Sequence, residues 1–281
     1  MESAPEPDGC VVRAERGIGG CTRHADVRQV RARPFLAVLV GVLSVVAFVS
    51  AATTASAGRA CLTGARDGGY SYAGHQATYR GHGVRATIML TRTPTVDAGH
   101  VAGWVGVGGP GQGARGGDAW IQAGIASIPG SKPFLCAEIT REGRDPQFIL
   151  VDEGVSVGDR HSVSVLELAG RPGWWQVQVD GKPVAQPVRM VGSSGRWAPI
   201  ATAESWNAGT SACNAFGFRF ERVSVSYGGG GSWRPFVSGH RFLDGTHALR
   251  DLAAAPAETG VYRRALASES VPPYAFVAAS S

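Results

Sequence analysis

The chain has 281 residues, 44% of them hydrophobic, with 40 glycines and a formal net charge of +5 from 27 basic and 22 acidic side chains. That length and apolar content suffice for a self-standing core, and the glycines, clustered between short apolar runs, favour many strands joined by tight turns over long helices. The positive charge is scattered without a block of five or six like charges, so the electrostatic footprint of a nucleic-acid binder is absent.

At the N-terminus, Arg23, Arg28, Arg31 and Arg33 precede an apolar run of 15 residues, Phe35 to Val49, followed by small residues ending in Ala55-Ser56-Ala57. This is the three-part layout of a secretory signal with cleavage before Gly58. The run falls short of the roughly 20 residues that span a bilayer; Ser50, Ala51 and Ala52 could extend it into an uncleaved membrane anchor. The stretch ahead of it reads as a leader, or as sequence upstream of a later translation start. Export would remove Cys10 and Cys21 and place Cys61, Cys136 and Cys213 in an oxidising compartment, where one disulfide and one thiol is the simplest count and all three pairings stay open.

The mature part reads as a succession of strands. "VRATIML" (Val84 to Leu90) alternates with period two, and "HSVSVLEL" (His161 to Leu168) sets Val163 and Val165 opposite serines. "DAWIQAGIASIPG" (Asp118 to Gly130) is a strand running into a turn, with Trp120, Gln122 and Gly124 on one face and Ile121, Ala123 and Ile125 on the other. Gln122 must therefore face water or find partners, because an unpaired buried amide costs roughly 1–3 kcal/mol. "WWQVQVDGKPV" (Trp174 to Val184) passes through Asp180-Gly181, a strong hairpin signal. In "FGFRFERVSVSY", Phe216, Phe218 and Phe220 have one parity and Val223, Val225 and Tyr227 the other, so a bulge near Glu221-Arg222 is expected. Such strands at regular spacing argue for an all-β sandwich. Three segments result: 1–57 leader and signal or anchor, 58–227 sandwich, and 228–281 a Gly-rich joint, then "SWRPF" and "HRFLDG", which could pack back as a small flap, and a largely flexible, Ala/Pro/Ser-rich tail from about Ala253.

Several motifs fail on context. "GVGGPG" (Gly106 to Gly111) has the dinucleotide spacing but no helix follows to receive a pyrophosphate, so it reads as a loop between strands. No zincin or paired C-x-x-C signal occurs; His75 and His82 read as surface histidines, and no G-x-S-x-G elbow is present. Neither a metal nor a cofactor is expected. Glu138 in "LCAEIT" and Glu204 in "IATAESWN", like Gln122, interrupt apolar strands. Singly each reads as an exposed strand residue; together, a carboxylate pair with an amide supplies the parts of acid/base hydrolysis.

The order "GVRATIML", "GWVGVGG", "AWIQAGI", "CAEI", "VSVGDRHSVSV", "ATAESW" and "CNAFGFRFERVSVS" resembles the glutamic peptidases, or eqolisins, over about Ser71 to Tyr227. The resemblance implies a concanavalin-like sandwich of two antiparallel sheets. It places the family's Trp-Val/Ile-Gly-Ile motif on Trp104 to Val107, the catalytic glutamine on Gln122, the Tyr-Glu-Trp glutamate on Glu138 and the catalytic glutamate on Glu204. Glu138, Trp104 and Trp120 are then expected to orient the pair or bind substrate. The implied reaction is peptide hydrolysis at acid pH by a monomer, with Glu204 as base and Gln122 as oxyanion donor. Departures stand beside it: the family's acidic residue after Trp-x-Gly-x is Gly108 here, and its aspartate and tryptophan before the middle glutamate are Phe134 and Cys136. An alternative is a non-catalytic sandwich that binds a glycan or peptide, and a further one is a glycosidase using Glu138 and Glu204.

Overall fold

The computed structural model describes residues 69–236, 239–243, 247–252 and 274–280. The signal or anchor reading and Cys10, Cys21 and Cys61 lie outside the described residues. In chain order the strands are β1 (Tyr70–Ala77), β2 (Gly83–Leu90), β3 (His100–Gly109), β4 (Ala119–Ser127), β5 (Phe134–Thr140), β6 (Gln147–Glu153), β7 (Arg160–Glu167) and β8 (Trp174–Val179). They continue with β9 (Lys182–Pro183), β10 (Val188–Arg189), β11 (Ile200–Trp206), β12 (Gly217–Ser226), β13 (Trp233–Pro235), β14 (Gly239–Leu243), β15 (His247–Asp251) and β16 (Tyr274–Ser280).

They form two antiparallel sheets. One runs β14-β1-β11-β3-β4-β5-β6; the other runs β10-β8-β7-β2-β12-β16-β15, with β9 added to β8 and β13 to β12. The expected all-β sandwich is the observed architecture, and period-two patterning is its cause. Val101, Val105 and Val107 of β3 and Ile121, Ala123 and Ile125 of β4 meet Val84, Ala86 and Ile88 of β2 and Phe218, Phe220 and Val225 of β12 in one buried cluster. The packing is tight enough that a Cβ on Gly103 would stand 2.6 Å from the Phe218 ring. The alternate residues of β3 and β4 consequently point away from the core, and these carry the site.

Two local features follow the sequence closely. Asp180 (φ 50°) and Gly181 (φ 75°) are both left-handed, as a two-residue type I′ hairpin between β8 and β9 requires. In β12 the register against β2 shifts between Glu221 and Ser224, with Arg222 at φ 53°, and this bulge keeps the phenylalanines and the valines on the core.

Three expectations are corrected. Tyr274–Ser280 is not tail: β16 lies between β12 and β15, with Tyr274, Phe276 and Ala278 buried and the Phe220 and Phe276 rings stacked 4.5 Å apart. Its small residues hid a regular alternation behind a low-complexity composition. The stretch just after the joint does pack back: β14 pairs with β1, and Ser71 Oγ stands 2.7 Å from His247 Nε2, tying β15 to β1. Gly106 to Gly109 continue β3 rather than forming a loop, since glycine has ladder partners Gln122 and Trp120 there. His75 is 4% exposed, held among Phe236, Tyr274 and Phe276, and His82 is half-buried against Glu167, so neither is a surface histidine. Cys213 is disulfide-bonded and Cys136 is not.

Candidate functional site

Register places the site residues on the face of the seven-stranded sheet that points away from the core. Gln122 of β4 stands opposite Gly106 of β3 on one side and Glu138 of β5 on the other. Trp104 of β3 stands opposite Gly124 of β4 and Thr202 of β11, and Glu204 of β11 opposite Ala102 of β3. Each large site residue on the β3/β4 pair thus faces a glycine. A Cβ on Gly106 would stand 2.9 Å from Gln122 Cβ and 3.1 Å from Trp104 Cζ3, and one on Gly124 would meet Gly103 O at 2.0 Å. The glycines let Gln122 and Trp104 lie on the sheet without displacing it.

These side chains line one cavity of about 50 Å³, with His100, Phe134, Cys136 and Phe148 completing the walls. Such a volume admits a few waters, each needing at least roughly 10–15 Å³ by the same kind of measure. Gln122 Nε2 donates to Glu138 Oε2 at 3.1 Å. Glu204 is 1% exposed; Trp104 Nε1 donates to its Oε2 at 3.2 Å, and His100 Nε2 lies 2.7 Å from its Oε1. Beyond Glu204 an aromatic wall rises from β1 and β11: the Tyr70 ring stacks on Tyr72 at 6.3 Å and on Trp206 at 5.7 Å.

Electrostatics sets Glu138 toward its neutral form. Burial, and next the charge of Glu204, push the Glu138 carboxyl from 4.5 up to about 8; the donors Gln122, Trp120 and Thr140 pull the other way without offsetting it. Glu138 is therefore a neutral acid at pH 7. Glu138 Oε1, Trp120 Nε1 and Thr140 Oγ1 are all buried and make no hydrogen bond of regular geometry, so the last two act on Glu138 at a distance. Burial first, then the Glu204 and Glu138 carboxyls, drive the Tyr70 phenol up.

Of the residues singled out from sequence, Gln122, Glu138, Trp104 and Glu204 meet at the cavity. Trp120 does not line it: it sits one pleat further along β4, opposite Thr140. Phe134 and Cys136, where the chain departs from the eqolisin pattern, form an apolar end, with Phe134 and Phe148 packed edge to face at 6.1 Å. The isolated reading of Glu138 and Glu204 as exposed strand residues is overturned, since both are buried. Sequence reasoning missed His100 and Phe148. His100 shares the parity of Ala102, Trp104 and Gly106 on β3, and that alternation was the signal available.

No protein-family model matches the chain, and no curated protein matches it. Among solved structures, Scytalido-glutamic peptidase with a peptide-based transition-state analogue is similar at 15% identity and a TM-score of 0.47, over 75% of this chain and 97% of that one. SCP-B, a member of the eqolisin family of peptidases in complex with the tripeptide Ala-Ile-His, is similar at 15% identity and a TM-score of 0.43 over the same shares. An alginate lyase from Pseudomonas aeruginosa is similar at 13% identity and a TM-score of 0.37, over 53% of this chain and 65% of that one.

Proposed function

We propose that the chain is an exported hydrolase of the glutamic-peptidase type, acting on peptide bonds with Glu204 as general base and Gln122 as oxyanion donor. The observation that carries this reading is the convergence of Gln122, Glu138 and Glu204, from three strands, on one cavity. Glu204 takes a proton from a water as the water's oxygen attacks the peptide carbonyl, and returns that proton to the leaving amine. Of the two amide hydrogens of Gln122, one is held by Glu138, which fixes the amide plane and leaves the other for the oxyanion. Glu138 serves as a neutral acid: its charge, if present, would oppose the oxyanion. No metal or cofactor enters the scheme. The arginines, apolar run and Ala55-Ser56-Ala57 support export, and secreted protein should begin at Gly58.

The test is cleavage of a denatured protein between pH 2 and pH 9, in the presence of inhibitors of other protease classes. Glu204→Gln keeps shape and should lower the rate by roughly 10²–10⁴, and Gln122→Ala by roughly 10²–10³. Their combined loss should fall short of the product, because groups that act as a unit are not additive. Wild-type protein without cleavage, or Glu204→Gln with undiminished cleavage, refutes the assignment. One observation favours a second reading: the Tyr72-Tyr70-Trp206 stack beside two unlike carboxyls suits a glycan ring. Saturable binding of a polysaccharide by a chain inert on peptides would establish that one.

A further inference from the structure

Glu204 is buried to the point that its charge depends on the donors it keeps. Trp104 caps one oxygen, and the imidazole of His100 is set against the other. His100 opens β3, and its ring is held edge-on to Tyr70 at 6.2 Å and tilted against Trp206 at 5.6 Å, so the surrounding aromatics fix its plane. An ionised carboxylate only accepts, so the nitrogen facing it, Nε2, must carry the proton. The remaining nitrogen, Nδ1, is buried without a hydrogen-bond partner. A bare lone pair there is a smaller burden than an unpartnered N–H on a charged ring, so the arrangement suits the neutral Nε2–H tautomer.

We propose that His100 is the positioning residue of the general base: it donates Nε2–H to Glu204 Oε1, fixes the plane of the carboxylate, and leaves the outer lone pairs free to take a proton from water. The inference rests on the reading of Glu204 as base. His100 neither receives nor releases a proton in the cycle; the proton taken from water goes to the leaving amine as before. The titratable groups that face the pair are Tyr70 and Glu138, both set toward their neutral forms by burial, and Tyr72, which stands opposite Glu204 on β1; His100 and Trp104 each donate to a different oxygen of Glu204, so loss of His100 strips Oε1 alone.

The test uses the full chain and two variants. His100→Phe keeps a ring between Tyr70 and Trp206 and removes the donor; His100→Gln restores an N–H donor. The carboxyl carbon of Glu204, assigned by its loss in Glu204→Gln, is titrated by ¹³C NMR, and kcat and KM are measured on a denatured protein. His100→Phe should raise the Glu204 midpoint by about one pH unit or more, because a carboxylate that loses a hydrogen-bond donor is harder to ionise. It should lower kcat by roughly 10–10² with KM little changed, and His100→Gln should recover most of both. The acid limb of the pH–rate profile should move with the midpoint. Imidazole ¹⁵N shifts of the unaltered protein, which need no variant to fold, should show Nε2 protonated and Nδ1 bare. An unmoved midpoint in His100→Phe, or a proton on Nδ1, overturns the proposal. Both NMR readouts need no turnover, so an inactive protein would sink the peptidase reading while the pairing is still decided on its own.

Discussion

Glu138→Gln is the most telling single substitution. The glutamine keeps the shape of the protonated carboxyl, and its amide oxygen can still accept from Gln122 Nε2, so the Gln122–Glu138 link survives while the titration is removed. In the wild type the carboxyl sits at about 8 when folded, against an ordinary 4.5. Between those values the folded chain holds a proton that the unfolded chain has released, so wild-type stability falls as pH rises through this window. At about 1.4 kcal/mol for each pH unit, the upper limit of the loss is roughly 5 kcal/mol, and relaxation with water entry brings a measurable effect of about 2 kcal/mol or more. The assay is urea unfolding of both proteins, followed by tryptophan fluorescence, at intervals from pH 4.5 to 8.5. All other groups titrate in both chains, so the difference between them reports Glu138 together with its coupling to Glu204. The variant should gain on the wild type steadily with rising pH. A difference that stays constant to within about 0.5 kcal/mol would show that Glu138 is ionised in the folded protein, and the division of the two carboxyls into acid and base would fall with it.

A second group titrates in the opposite sense. Burial first, with Arg241 adding and Asp251 opposing, holds His75 down at about 4, below its ordinary 6.5, so its contribution is intact above pH 6.5 and is lost as pH falls toward 4. His75→Phe, packed among the same rings, should remove up to roughly 3 kcal/mol of that acid sensitivity in thermal unfolding; equal slopes in the two proteins would contradict the account. Gly124→Ala should cost roughly 3 kcal/mol, since its Cβ would meet backbone atoms of Gly103 and Trp104 that cannot turn aside, and a loss under about 0.5 kcal/mol would show that the β3/β4 floor yields.

The sandwich was legible because alternation was regular wherever a strand had one face on the core, and even the β12 bulge announced itself as a change of parity at Glu221-Arg222. Gln122, Glu138 and Glu204 were legible as polar interruptions of apolar runs. His100 was not, because its partner Glu204 lies 104 residues away and only the β3/β11 ladder brings them together. For β16 composition misled: alanine and serine read as unstructured, while Tyr274 and Phe276 supply the two anchors that a strand between β12 and β15 needs. His75 carried no local mark of burial, since the rings that enclose it come from Phe236, Tyr274 and Phe276, far along the chain.

Gln122 and Glu204 are both addressed through β3, one opposite Gly106 and the other opposite Ala102. That strand acts as a ruler with graduations of roughly 3.4 Å, and a slip of one graduation turns a side chain into the core. The spacing of Glu204 and Gln122 is therefore quantised, and divergence can only keep it or break it. Phe134, Cys136 and Phe148, by contrast, sit on β5 and β6, beyond β4 and off that ruler. They can be exchanged without touching the spacing, so a lineage built on this sheet is free to change the lining of the cavity while the distance between Gln122 and Glu204 stays fixed.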